Sequence, residues 1–182
     1  MKKALRRIAF TLLALAALSL ISCGQPFQGS PRTGSPEEAF SLVFEYGVGG
    51  APTKNALDTA RGTFTKDMIM DPAVTVKMKL GEDDLERIRN KMDEIHFWEY
   101  PDVLEPEPRG DGTGMAVTPY SSYYFKVERN GAVKEVTWEN QYLYSDETSR
   151  AKNLKDLAQL IWGIITSTDE YKALPEPRGG YL

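Results

Sequence analysis

Few side chains in this 182-residue chain have the types and spacing that chemistry asks for. Ser149-Arg-Ala-Lys152 places a hydroxyl and an amine about one helical turn apart, where a lysine can take the proton of a serine and make it a nucleophile. Ser145, Asp146 and Thr148 beside it are residue types that start helices, and the helix-start reading of Ser149 is preferred. His96 is the sole histidine, so metal sites built on several histidines are excluded and any Ser-His-Asp arrangement would have to use it. It closes a helical pattern, where a cation interacts favourably with the dipole or a neutral ring packs. Asp102, Glu105, Glu107 and Asp111 gather in one loop, but their spacing is not the Asp-x-Asp-x-Asp-Gly of a calcium loop. They read as a solvated acidic stretch, and Arg109-Gly-Asp111 within it reads as a coincidental adhesion tripeptide. No pattern for a cofactor or a metal is recognised, and none is expected.

Aromatic side chains offer a different kind of chemistry. Tyr120, Tyr123, Tyr124 and Phe125, with Trp138, Tyr142 and Tyr144 downstream, exceed what one face of a strand needs. Tyr123, Phe125 and Trp138 are expected in the core. Tyr120, Tyr124, Tyr142 and Tyr144 are then free to form an exposed platform for a protein, peptide or glycan.

The elements that must position these residues follow from periodicity. Phe40, Leu42, Phe44 and Tyr46 alternate with Ser41, Val43 and Glu45, which predicts a strand with one buried face. A less regular stretch from Leu57 to Met70 supplies a further extended segment. Val74, Val76, Met78 and Leu80 then alternate with Thr75, Lys77 and Lys79 as a second amphipathic strand. After Gly81, the acidic run Glu82-Asp83-Asp84 suits a helix N-terminus, and Leu85, Ile88, Met92 and Ile95 follow at helical spacing.

The second half repeats this order. Asn130-Gly131 between two β-prone runs signals a two-residue hairpin turn, since both central residues need positive φ. That register sets Tyr123 opposite Trp138, Phe125 opposite Val136 and Lys126 opposite Glu135, whereas a slip of one residue would scramble apolar and charged pairs together. A helix from about Ser149 to Thr166 carries Leu154, Leu157, Ala158, Ile161, Ile164 and Ile165 on one face. Each predicted helix is followed by Glu-Tyr, at 99–100 and 170–171, and by Pro-Glu-Pro-Arg-Gly, at 106–110 and 175–179. The expected fold is therefore α+β: an antiparallel sheet built from two strand-strand-helix repeats, 38–110 and 118–182, with the helices packed against it.

The N-terminus decides where such a domain works. Lys2, Lys3, Arg6 and Arg7 precede an uncharged apolar run from Ile8 to Ile21, the layout of a secretory signal peptide. Its 14 residues, at ~1.5 Å per residue, are too short for the ~30 Å hydrocarbon core of a bilayer. The run closes on Leu20-Ile21-Ser22-Cys23, which resembles the lipobox of bacterial lipoproteins. That resemblance implies cleavage between Ser22 and Cys23 and a diacylglyceryl group on the Cys23 sulfur. Cys23 is the only cysteine, so no disulfide and no cysteine-based metal site or nucleophile remains. Residues 23–37 are rich in Gly, Ser and Pro and read as a flexible tether to a domain spanning 38–182.

Without residues 1–22 the chain keeps 18 Lys+Arg against 26 Asp+Glu, a formal charge of −8. An acidic body argues against nucleic acid as a partner and against adhesion to anionic headgroups. Three segments carry a further resemblance: Thr63-Phe-Thr-Lys-Asp-Met68, Thr118-Pro-Tyr-Ser-Ser-Tyr-Tyr-Phe125 and Leu174-Pro-Glu-Pro-Arg-Gly-Gly-Tyr181 look like hallmarks of a group of uncharacterised lipoproteins of Gram-positive bacteria. It covers most of the mature chain and brings no activity with it. The expected protein is a lipoprotein held by its lipid on the extracytoplasmic face of the cell membrane, a binding module for a cell-envelope protein, peptide or glycan. The alternative is a cell-envelope hydrolase using Ser149 and Lys152, whose Ser-x-x-Lys is similar to that of penicillin-binding enzymes. No Lys-Thr-Gly accompanies it, and the chain is far shorter than that fold requires.

Overall fold

The structure is a computed structural model that describes residues 39–52, 54–105, 115–143 and 150–181. Residues 1–38, which include Ser22, Cys23 and the tether, lie outside the described residues, as do Glu107, Arg109, Asp111, Tyr144 and Ser149. No helix among the described residues is long and apolar enough to cross a membrane.

Among the described residues, seven strands form one sheet in the order β4-β3-β2-β1-β6-β7-β5. The strands are β1 (Phe40–Val48), β2 (Asn55–Asp58), β3 (Thr63–Met68), β4 (Asp71–Lys77), β5 (Val103–Leu104), β6 (Met115–Arg129) and β7 (Ala132–Leu143). Three helices, α1 (Glu82–Glu94), α2 (Arg150–Ser167) and α3 (Asp169–Lys172), complete the order β1-β2-β3-β4-α1-β5-β6-β7-α2-α3, with a single 3-10 turn at Phe97–Glu99. The fold is thus α+β, and its sheet is mixed. Every neighbouring pair is antiparallel except β5 with β7, which run parallel. A strand of two residues has no period to read, so β5 was hidden within the acidic, Pro-rich exit of the first half.

The hairpin β6–β7 has the register that its turn dictates. Tyr123 faces Trp138, Phe125 faces Val136 and Lys126 faces Glu135. Asn130 and Gly131 take φ of 52° and 81°, the left-handed values that this turn requires. Further from the turn the register shifts between Ala116 and Ser121, around Pro119, which has no N–H to give the ladder.

The first half departs from the sequence expectation in two places. Leu57 to Met70 is not one extended segment but the hairpin β2–β3, turned at Gly62, whose φ is 62°. The Asp58 carboxylate accepts the Arg61 N–H inside that turn at 2.9 Å, the local bond that favours aspartate in turns. Strand β4 ends at Lys77, because its partner β3 begins at Thr63 opposite. Met78 and Leu80 therefore enter the core from the connection to α1.

One cluster of buried side chains draws on both halves: Leu42, Phe44, Leu57 and Phe64 from one, Phe125, Val127, Val136 and Trp138 from the other. Helix α1 adds Ile88 and Met92, and α2 adds the six residues of its predicted face. The central pair β1–β6 sets Phe44 opposite Phe125 and Tyr46 opposite Tyr123. The rings of Phe44 and Phe125 meet at 5.0 Å, and Phe97 meets Phe125 at 6.0 Å edge-on. Between these core positions, Glu45, Tyr124 and Lys126 alternate on the other face of the sheet.

Candidate functional site

A cleft of about 350 Å³ opens where the end of β1, the start of β2, the end of β3 and the middle of β6 meet Trp162, Tyr171 and the C-terminal segment. Its volume is within the ~300–1,000 Å³ usual for small-molecule sites. Five aromatic side chains line it: Tyr46, Tyr123, Trp162, Tyr171 and Tyr181. Trp162 stands edge-on to both Tyr46 and Tyr171, at 4.8 and 5.2 Å, and Tyr171 continues to Phe64 at 5.7 Å. The aromatic wall is thus an outgrowth of the core, with Tyr46, Tyr123, Trp162 and Tyr171 packed against it.

The polar side of the cleft comes from β3. Phe64, Lys66 and Met68 are all buried, so an ammonium stands where the strand's apolar period asks for a hydrophobe. Lys66 Nζ donates to the carbonyl of Pro175 at 2.9 Å, lies 3.8 Å from Glu176 and sits 4.8 Å above the ring of Tyr171. A buried cation needs this kind of enclosure by acceptors and π density. Asp67 next to it is also buried, and its carboxylate accepts from the Ile69 N–H at 3.0 Å and from the Tyr181 hydroxyl. Asn55 links Asp67 to Tyr46, accepting the Asp67 N–H at 3.0 Å and donating to the Tyr46 carbonyl at 3.4 Å.

The tail 174–181 is a strap across this end of the sheet. Leu174 is buried at the core edge, Ile69 and Arg178 form a parallel bridge, and Arg178 forks onto the Asp71 carboxylate through Nε at 2.7 Å and through Nη2. The guanidinium holds the Asp71 carboxyl below the usual carboxylate range. Two phenols under the strap are shifted the other way. Burial, with Tyr171 adjacent, pushes Tyr46 up, and burial with the Glu176 charge pushes Tyr171 up. The Tyr46 hydroxyl is buried without a hydrogen-bond partner among the described residues.

The three segments singled out in the sequence therefore converge: Lys66 and Asp67 from the first, Ser121 and Tyr123 from the second, and Pro177 and Tyr181 from the third all line the cleft. Sequence reasoning placed Tyr123 in the core, whereas it is half-buried and shows part of its surface to the cleft, stacked on Trp138 at 5.1 Å. It passed over Tyr46, Lys66, Asp67, Trp162, Tyr171 and Tyr181. The usable signal was Lys66, a charge on the apolar face of a strand.

The tyrosines proposed as a platform are placed separately. Tyr120 is half-buried, and its ring lies so close over Gly49 that a Cβ there would fall inside it. Tyr124 stands opposite Thr137 on the sheet face away from Phe125, and its phenol is pushed up to about 12 by burial first, then by a hydrogen bond to Glu135 and the charge of Glu45. Tyr142 is paired with Ala116 in β7, and its side chain lies outside the description, as does the whole of Tyr144.

The residues considered for catalysis have other attachments. Lys152 Nζ is 2.6 Å from Asp156 Oδ2, one turn along α2. His96 is exposed, with φ of 54°, in the left-handed position that ends α1. Asp102 pairs with Lys134 at 2.6 Å. Among the described residues no group of three or more His, Cys, Asp or Glu side chains could hold a metal ion. No protein-family model matches the chain, and comparison with curated proteins finds no match.

Proposed function

We propose that the protein is a lipoprotein anchored by a lipid on Cys23 to the extracytoplasmic face of the cell membrane, where its α+β domain binds a cell-envelope peptide, protein or glycan. The anchor rests on the basic start, the short apolar run and Leu20-Ile21-Ser22-Cys23. Two or more acyl chains give a stable attachment that a single chain does not. The observation that carries the binding role is the convergence of three separate segments on one aromatic-lined cleft. Aromatic walls with few polar groups suit ligands that present both flat apolar faces and hydrogen-bonding edges. Tyr120, Tyr124, Tyr142 and Tyr144, the tyrosines singled out in the sequence, are a second candidate surface on the same domain.

Retention of solubilised envelope fragments, peptidoglycan pieces included, on the immobilised protein tests this reading. Ser121→Trp fills the cleft from an exposed position, and Tyr124→Ala alters the open sheet face. Loss of retention in the first variant assigns the cleft, and loss in the second assigns the platform. Equal retention by both variants and the wild type contradicts both. Labelling by a serine-reactive fluorophosphonate, abolished in Ser149→Ala, would instead favour the hydrolase reading.

We also propose that the scaffold derives from a duplicated strand-strand-helix unit with its helices on one sheet face, the first half carrying two strands more before its helix than the second. In support, the first strands of the two halves, β1 and β6, lie side by side and antiparallel, as a two-fold relation demands. The repeated tyrosines match as well: Tyr100 and Tyr171 each lie beneath a cation, Arg150 at 5.8 Å and Lys66 at 4.8 Å.

A further inference from the structure

The pentapeptide Pro-Glu-Pro-Arg-Gly occurs at 106–110 and again at 175–179. The second copy is seated in the strap, and its positions are read one by one. The carbonyl of Pro175 and the carboxylate of Glu176 both face the Lys66 ammonium, at 2.9 and 3.8 Å. Pro177 lines the cleft. Arg178 bridges to Ile69 along the backbone and forks onto Asp71 with its side chain. Gly179 has φ of 86°, the left-handed region that favours glycine, and lies against the Met70 side chain. All the reading groups, Lys66, Ile69, Met70 and Asp71, sit on the one hairpin β3–β4.

The first copy cannot take this seat in its own chain. Glu105, the residue before it, follows β5 at the sheet edge opposite β4, and six strand spacings of ~4.8 Å put that edge ~29 Å from β4. Arg109 stands four residues after Glu105, and four residues span at most ~14 Å. One side chain does not close the difference. A second molecule has no such restriction.

We propose that the β3–β4 seat is a recognition site for the peptide Pro-Glu-Pro-Arg-Gly, and that its occupant in trans is segment 106–110 of a second copy of this chain, in exchange for the strap. A tethered ligand competes at an effective concentration of about millimolar, so the strap holds the seat in dilute solution. Exchange requires a loosened strap or a chain concentration of that order. The donating and receiving surfaces differ, so the contact is head-to-tail and propagates unless it closes into a ring. This inference is independent of the anchor on Cys23.

The test is fluorescence anisotropy of a labelled peptide, Glu-Pro-Glu-Pro-Arg-Gly-Asp, titrated with the purified full chain as wild type, Arg178→Ala and Arg178→Ala/Asp71→Ala. Side-chain exposures of 75% and 32% for Arg178 and Asp71 leave the fold independent of both substitutions, which circular dichroism checks. The seat predicts severalfold tighter binding to Arg178→Ala than to wild type, a gain removed in the double variant and removed when the peptide's arginine is replaced by alanine. Sedimentation of Arg178→Ala should show concentration-dependent association that Arg109→Ala removes. No gain in peptide affinity from Arg178→Ala, or binding indifferent to Asp71→Ala, overturns the proposal.

Discussion

Lys66 holds its ammonium 4.8 Å above the ring of Tyr171, in a position where the alternation of β3 calls for an apolar side chain. That one contact joins the sheet to α3 and, through Pro175 and Glu176, to the strap. The Lys66 side chain is 4% exposed and Glu176 is 90% exposed, so the two partners contribute unequally. Exposed ion pairs contribute about 0–1 kcal/mol, whereas a hydrogen bond from a charged donor contributes about 1.5–3 kcal/mol.

Lys66→Met should accordingly lower stability by about 2 kcal/mol, from the lost bond to Pro175 and the lost cation–π contact. Glu176→Gln should change it by less than about 0.5 kcal/mol, since the pair is solvated and 3.8 Å long. Urea unfolding of the two variants checks this. Equal losses would show that the ion pair, not the hydrogen bond, holds the strap.

Neighbours on one strand should respond in opposite ways. Phe125 is fully buried between Phe44 and Phe97, and Phe125→Ala should cost about 3–5 kcal/mol. Tyr124→Ala, on the other face, should cost less than about 1.5 kcal/mol, the usual net contribution of one hydrogen bond. A chemical denaturation series that found the two comparable would contradict the assignment of faces.

Gly49→Ala is expected to destabilise by about 1–3 kcal/mol, because the added carbon falls inside the Tyr120 ring and forces it to move. In Gly49→Ala/Tyr120→Ala the clash has no partner, so the double variant should be less destabilised than the sum of the single ones. Additive losses in the double-mutant cycle would show that the ring is not what Gly49 accommodates.

Alkali gives a separate test. The Tyr124 phenol is pushed up to about 12 by burial, Glu135 and Glu45, whereas an unfolded tyrosine titrates near ~10. Because the folded value is the higher one, the contribution of Tyr124 to stability is complete below pH ~10 and is lost between there and about pH 12. Absorbance titration at phenolate wavelengths should show its late ionisation. Glu135→Gln should bring it earlier without restoring ~10, because burial is the largest cause.

The sequence was most readable where a period was long or a turn was specific. Six residues of one face of α2 and three cross-strand pairs around Asn130-Gly131 could be named in advance, since helical spacing and a two-residue turn each admit one solution. The division of Leu57 to Met70 into two strands was missed because only Asp58 and Gly62 mark the turn. Strand β5 was missed because two residues carry no period. The cleft was illegible for a different reason. Tyr46, Lys66, Trp162 and Tyr181 are far apart in the chain, and their meeting depends on strand order and on the path of the strap. Local spacing encodes neither.

The proposed anchor on Cys23 is the account's central claim, and one measurement addresses it directly: intact mass and membrane fractionation of the protein expressed in a bacterium, wild type beside Cys23→Ser. The account predicts a wild-type N-terminus at an acylated Cys23, recovered with membranes, and a Cys23→Ser protein without the lipid mass and no longer anchored. A soluble, unacylated wild type retaining residues 1–22, or cut elsewhere, would contradict it.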